Sequence, residues 1–90
     1  MRKAQKRGWD SIIIDILSAA LRPEKKMRIM YKANLNFDRF KKYFGDLQER
    51  GFIETVEDAS GKASYRTSER GRLLLAALKN TQDLMRSESG

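Results

Sequence analysis

Apolar residues recur along this chain at two different spacings. Trp9, Ile13, Ile16, Leu17 and Ala20 fall three or four residues apart and predict a helix over 9–21, with Asp10 as its N-cap. Arg22-Pro23 ends it, because a residue before proline avoids the α region. Ile29, Met30 and Ala33 predict a second, short helix over 24–33. Phe37, Phe40, Phe44 and Leu47 share one sector of a third helix over 36–50, and Gly51 stands where a left-handed C′ residue is expected. The spacing then changes. "FIETVE" (52–57) alternates apolar and polar, "DASGK" is a turn signal, and "ASYRTS" (63–68) is a second, shorter strand. Thr67 or Ser68 caps a fourth helix running to Arg86, and the tail "SESG" is expected to fray.

The order is helix, helix, helix, hairpin, helix: mainly α with a small β-hairpin, the layout of a winged helix-turn-helix. Residues 1–8 read as a flexible basic arm, 9–67 as the winged domain, 68–86 as a dimerisation helix and 87–90 as a disordered tail. The joint between the second and third helices is "ANLN" (33–36). Two helices that cross steeply need a small residue at the crossing, and Ala33 is one. Asn34 tolerates positive φ at lower cost than most residues. Leu35 anchors the turn in the core. Asn36 offers a side-chain oxygen to the free N–H groups of the next helix.

Charge adds a partner to this layout. The chain has 19 Lys and Arg against 12 Asp and Glu, a net +7. From Arg22 to Lys42 there are eight cations and two acids, a local +6. A concentrated basic field suits a polyanion, and nucleic acid is the commonest such partner; the winged layout points to double-stranded DNA. On the third helix, Arg39 and Lys42 lie on the sector opposite the phenylalanines, in the half that would meet base edges in a major groove. Asn36 and Asp38 are further base candidates. Lys25, Lys26, Arg28 and Lys32 on the second helix, with Lys62 and Arg66 on the wing, suit phosphates. Arg2, Lys3, Lys6 and Arg7 form a second basic cluster in the arm. Acids Glu57 and Asp58 flank the wing, and Asp46 and Glu49 turn the far end of the third helix acidic. Gly45, in mid-helix, costs on the order of 1 kcal/mol against alanine; it could permit close approach of another backbone or slight bending, or be neutral drift.

Other chemistry is excluded or unsupported. There is no cysteine and no histidine, so disulfides, thiolates and imidazole bases or ligands are ruled out. No Gly-rich phosphate loop or metal-ligand cluster appears, so neither an enzyme nor a cofactor is expected. No apolar run approaches a membrane span, and "GWDSIIIDILSAAL" is broken by two aspartates, so it is not a signal peptide. A cytoplasmic protein fits these features.

On the fourth helix, Leu74, Leu78, Thr81 and Met85 follow a heptad seam, and Leu73, Ala77 and Leu84 form an adjacent stripe. One stripe can pack on the domain's own first helix and leaves the other for a second copy of the chain. The seam 74/78/81/85 is taken as the homodimer interface.

"RIMYKANL" (28–35), the aromatic third helix ending "LQERGFIE" (47–54), and "YRTSERGRLLL" (65–75) resemble the small archaeal winged-helix DNA-binding proteins. That family includes chromatin-type proteins and transcriptional regulators. The resemblance implies a winged helix, DNA binding and, in the chromatin-type members, a dimer joined by the last helices. Lys32 occupies a place that is often glycine in the family. The final helix is shorter than in the chromatin-type members, which leans toward a regulator or a compact dimer. A non-specific chromatin protein and a winged-helix protein-interaction module are the alternatives.

Overall fold

A computed structural model describes residues 8–89, with side chains as far as Arg86. The basic cluster Arg2, Lys3, Lys6 and Arg7 lies outside the described residues. The elements are α1 (Trp9–Ala19), α2 (Lys26–Ala33), α3 (Phe37–Glu49), β1 (Ile53–Glu57), β2 (Ala63–Thr67) and α4 (Glu69–Ser89). α1 packs against α2, α3 and α4, and the hairpin β1–β2 lies beside α3 and the start of α4. Four helices and an antiparallel two-stranded wing make this a winged helix, as the sequence pattern predicts.

The core is Ile12, Ile14, Ile16, Leu17 and Ala20 of α1 and its cap, with Ile29, Met30, Ala33, Phe40, Phe44, Leu47, Ile53 and Leu75. α1 is buried on a broader front than one stripe, because three helices surround it. Trp9, expected on the core face, is exposed. Asp10 is not the N-cap. Gly8 holds that position in extended conformation, and Asp10 sits in the first turn, where a carboxylate complements the helix dipole.

α2 begins at Lys26, two residues later than the periodicity suggests. Glu24 is held extended by the wing: its N–H donates to the Tyr65 carbonyl at 3.0 Å, and the Tyr65 N–H donates to the Glu24 carbonyl at 2.8 Å. A long-range pairing thus overrides a local helical preference.

The "ANLN" joint is built as its residues require. Ala33 is buried, and Asn34 adopts φ 57°, ψ 49° in the left-handed region. Leu35 packs on the core, and the Asn36 side chain accepts from the Arg39 N–H at 2.9 Å. At the far end of α3, Gly51 takes φ 83° and lets the Phe52 N–H reach back to the Leu47 carbonyl at 2.8 Å. Phe37 departs from expectation. It is 54% exposed, because Leu35 packs on the core at that end and the buried sector of α3 is Phe40, Phe44 and Leu47.

The hairpin pairs Ile53 with Thr67, Thr55 with Tyr65 and Glu57 with Ala63. Its turn is organised by Asp58, whose Oδ1 accepts from the Ser60 hydroxyl, the Ser60 N–H and the Lys62 N–H at 2.7, 2.9 and 2.9 Å.

The junction into α4 is closely stitched. The Thr67 N–H donates to the Ala20 carbonyl at 2.7 Å, and its hydroxyl donates to the Leu17 carbonyl at 2.8 Å. Ser68, rather than Thr67, caps α4: its hydroxyl donates to the Gly51 carbonyl at 2.7 Å and accepts from the Gly71 N–H at 3.0 Å. Gly71 is buried against the backbone of Phe52, so closely that a Cβ there would collide with the Phe52 carbonyl. α4 runs 21 residues, about 32 Å, and reaches Ser89, past the expected end at Arg86.

Candidate nucleic-acid interface

The described surface of α3 is organised around cations of two kinds. Arg39 and Lys42 are exposed, and their side chains make no hydrogen bond or ion pair among the described residues. Asp38 is exposed in the first turn, where it complements the helix N-terminus. The Asn36 side chain is committed to the cap bond. Lys41 lies over the exposed Phe37 ring, 5.9 Å from its centroid.

The α2 and wing cations differ. Lys25 Nζ stands 3.6 Å from Asp58 and 3.5 Å from the Ala63 carbonyl. Lys26 Nζ lies over Phe44 and Tyr65, at 5.4 and 5.8 Å from the ring centroids. Arg28 and Lys32 converge on Glu24, at 3.4 and 2.9 Å. Arg66 places Nε and one terminal nitrogen on a single oxygen of Glu54, at 2.9 and 2.7 Å. The Lys62 side chain at the wing tip has no partner among the described residues.

These pairings set the protonation of two acids. The hydrogen bond from Lys32, joined by the charges of Lys32 and Arg28, holds the Glu24 carboxyl below its ordinary value. The Ser60 hydroxyl, the Lys62 N–H and the Ser60 N–H hold Asp58 down to about 2. Both acids are charged at neutral pH, as their cation partners require.

The pairings were not read from the sequence. Glu24 precedes Arg28 by four residues and Lys32 by eight, a spacing that signals a shared helical face. The Glu54–Arg66 pair is a directly opposite cross-strand pair, legible once the register is known.

The fourth helix divides its two stripes. Leu74 and Leu78, expected in a dimer seam, pack on the protein's own core. Thr81 and Met85 are exposed, and the Thr81 hydroxyl donates to the Ala77 carbonyl of its own helix at 2.9 Å. Leu73 and Leu84, on the other stripe, are 69% and 60% exposed.

A family profile described as winged helix-turn-helix matches residues 6–86. The chain belongs to the winged helix-turn-helix family. Over 84 residues this winged-helix chain is 33% identical to protein MJ0287 of Methanocaldococcus jannaschii, covering 92% of this chain and 81% of that one. In structure it is similar to Sso10a-2, a DNA-binding protein from Sulfolobus solfataricus, with a TM-score of 0.80 at 23% identity over 92% of this chain and 86% of that one. It is also similar to BldR, a transcriptional regulator from Sulfolobus solfataricus, with a TM-score of 0.74 at 14% identity. The match covers 87% of this chain and 58% of BldR, so the chain spans little more than half of that regulator's length. The two structural likenesses concern the fold. The archaeal winged-helix resemblance carried by "RIMYKANL" and "LQERGFIE" is borne out.

Among the described residues, no group of three or more His, Cys, Asp or Glu is placed to hold a metal ion. No described helix is long and apolar enough to cross a membrane.

Proposed function

We infer that this winged helix binds double-stranded DNA as a transcriptional regulator of the cytoplasm. The outer face of α3 enters the major groove, where Arg39 and Lys42 meet base edges. Lys25, Lys26, Arg28 and Lys32 of α2, with Lys62 and Arg66 of the wing, lie along phosphates. The observation that carries this reading is the pair of exposed cations, Arg39 and Lys42, whose side chains have no partner among the described residues, on a helix that follows the left-handed Asn34. The DNA-binding and regulator descriptions of Sso10a-2 and BldR support it.

The test is binding to random and selected duplexes across a salt series. Arg39→Ala and Lys42→Ala are expected to weaken preferred-site binding by about 1–3 kcal/mol each and to relax sequence preference. Full affinity in the double variant removes α3 from the groove. A steep salt dependence without sequence preference assigns a chromatin role instead.

The regulator works as a homodimer. Leu74 and Leu78 are engaged in the protomer core, so the surface for a second copy is Leu73, Ala77 and Leu84, extended by Thr81 and Met85. Leu84→Glu is expected to give a folded monomer in sedimentation at micromolar concentration. A wild type that sediments as a monomer defeats the dimer.

A protein-docking role is favoured by one observation. Met27, Tyr31 and Phe37 leave apolar surface exposed on α2 and the first turn of α3, with Tyr31 72% exposed. Absence of duplex binding at low salt, together with retained folding, would select it.

A further inference from the structure

Six cations flank the outer face of α3, on α2, its N-cap and the wing. Four of them face a carboxylate of the same chain: Lys25 faces Asp58, Arg28 and Lys32 face Glu24, and Arg66 faces Glu54. Arg39 and Lys42 face none among the described residues. The division does not follow from a lack of acids on α3. Asp38 adjoins Arg39, and Asp46 lies one turn beyond Lys42, yet Asp46 bonds Arg50 at 3.0 Å. Four of the six phosphate candidates are thus paired with a carboxylate, and neither cation among the base candidates is.

Glu24 is the centre of this arrangement because it serves two cations. Its backbone pairs in both directions with Tyr65 of the wing, so the sheet rather than the helix fixes its place. Its side chain is 21% exposed, against 47% for Lys32 and 66% for Arg28. The acid is therefore more sheltered than its cations, which face solvent.

We propose that Glu24, with Glu54 as a lesser counterpart, is a resident competitor for the DNA backbone: it occupies the cations that would otherwise hold phosphates and so restrains the sequence-independent part of binding. A carboxylate and a phosphodiester offer an ammonium or guanidinium the same kind of anionic oxygen pair. Exposed pairs of this sort are weak, so a phosphate can displace the carboxylate. The displaced carboxylate stays in place and repels the incoming phosphate. A cation already neutralised also displaces fewer counterions from the duplex, which lowers both affinity and its salt dependence. Discrimination then rests on Arg39 and Lys42, whose charges are unspent.

The inference rests on the DNA-binding reading, and its test separates the two. Fluorescence anisotropy on a random-sequence duplex of about 20 base pairs, from about 50 to about 300 mM salt, compares wild type, Glu24→Gln and Glu24→Gln/Arg28→Gln/Lys32→Gln. Glutamine keeps the shape and the backbone pairing and removes only the charge. Glu24→Gln is expected to bind roughly five- to tenfold tighter at the lowest salt, with a slope steeper by about one to two. Set against Arg28→Gln/Lys32→Gln, the triple variant should show no gain, whereas a merely structural role for Glu24 would shift both backgrounds alike. Glu54→Gln, on an exposed strand position, should give a smaller gain with a slope change of about one, and keeps the test open if Glu24→Gln folds poorly. Glutamine variants that fold and bind random duplex no tighter than wild type overturn the proposal. A wild type that binds no duplex at low salt defeats the DNA-binding reading itself.

Discussion

Gly45 and Gly71 both sit inside helices, where glycine carries the same intrinsic cost, yet they stand in opposite surroundings. Around Gly71 the backbone of Phe52 and the methyl of Thr67 leave no room for a side chain. Around Gly45 a Cβ would meet nothing within 4 Å. The first glycine lets α4 touch the backbone of Phe52, just before β1, in the stitched junction where Thr67 and Ser68 make their bonds. The second lies on the open face of α3, three residues beyond Lys42, where no described group packs. A helix-weakening residue is thus a packing requirement in one region and carries no packing role in the other. The junction is close-packed, while the outer face of α3 around Gly45 is open.

Four changes break or sharpen this contrast. Gly71→Ala should be the most damaging. The added carbon must displace backbone rather than a flexible side-chain end, so about 3 kcal/mol or more of stability should be lost in denaturant unfolding. Thr67→Val keeps the shape of the junction but removes the donor to the Leu17 carbonyl. A loss of about 1–3 kcal/mol is expected, read in the same unfolding curve. Gly45→Ala should act in the other direction and raise stability by about 1 kcal/mol, visible as a higher melting midpoint. A destabilised Gly45→Ala would mean that the open face is packed against something in solution. The smallest effect is the wing tip's response to acid. Asp58 has its carboxyl lowered to about 2 from an ordinary 3.8. Its contribution is therefore complete above about pH 4 and lost as pH falls toward 2. Amide shifts of Ser60 and Lys62 should follow that titration while the core resonances stay in place.

What the sequence disclosed, and what it withheld, follows the range of the interactions involved. The "ANLN" joint was readable residue by residue, because its requirements are local: a small side chain, a left-handed position, an anchor and a cap. The hairpin was readable for the same reason. Where a distant partner decides, local pattern misleads. Glu24 looks helical but is drawn straight by Tyr65, and Ser68 outcompetes Thr67 as a cap because Thr67 is committed to α1. Phe37 has core spacing but lies beyond the end of the core that Leu35 closes. On α4 two apolar stripes were visible, and only the packing of α1 shows that Leu74 and Leu78 belong to the protomer. At the candidate interface the cations were legible as types and positions. Their partners were not, since Glu54 and Asp58 reach them only through the register of the wing and the approach of the wing to α2.

The bonds from Thr67 to the end of α1 carry a consequence for synthesis. The last carbonyls of α1, from Leu17 and Ala20, are satisfied by a residue about fifty positions further along the chain. Until Thr67 has been made, the Ala20 carbonyl lacks the partner it has in the fold, and the Leu17 carbonyl keeps only the 3.3 Å bond from the Ala20 N–H. Gly71 follows only a few residues later, and Leu75 after it completes the core. The end of α1 is thus completed by a residue that lies beyond the helix-turn-helix in the chain.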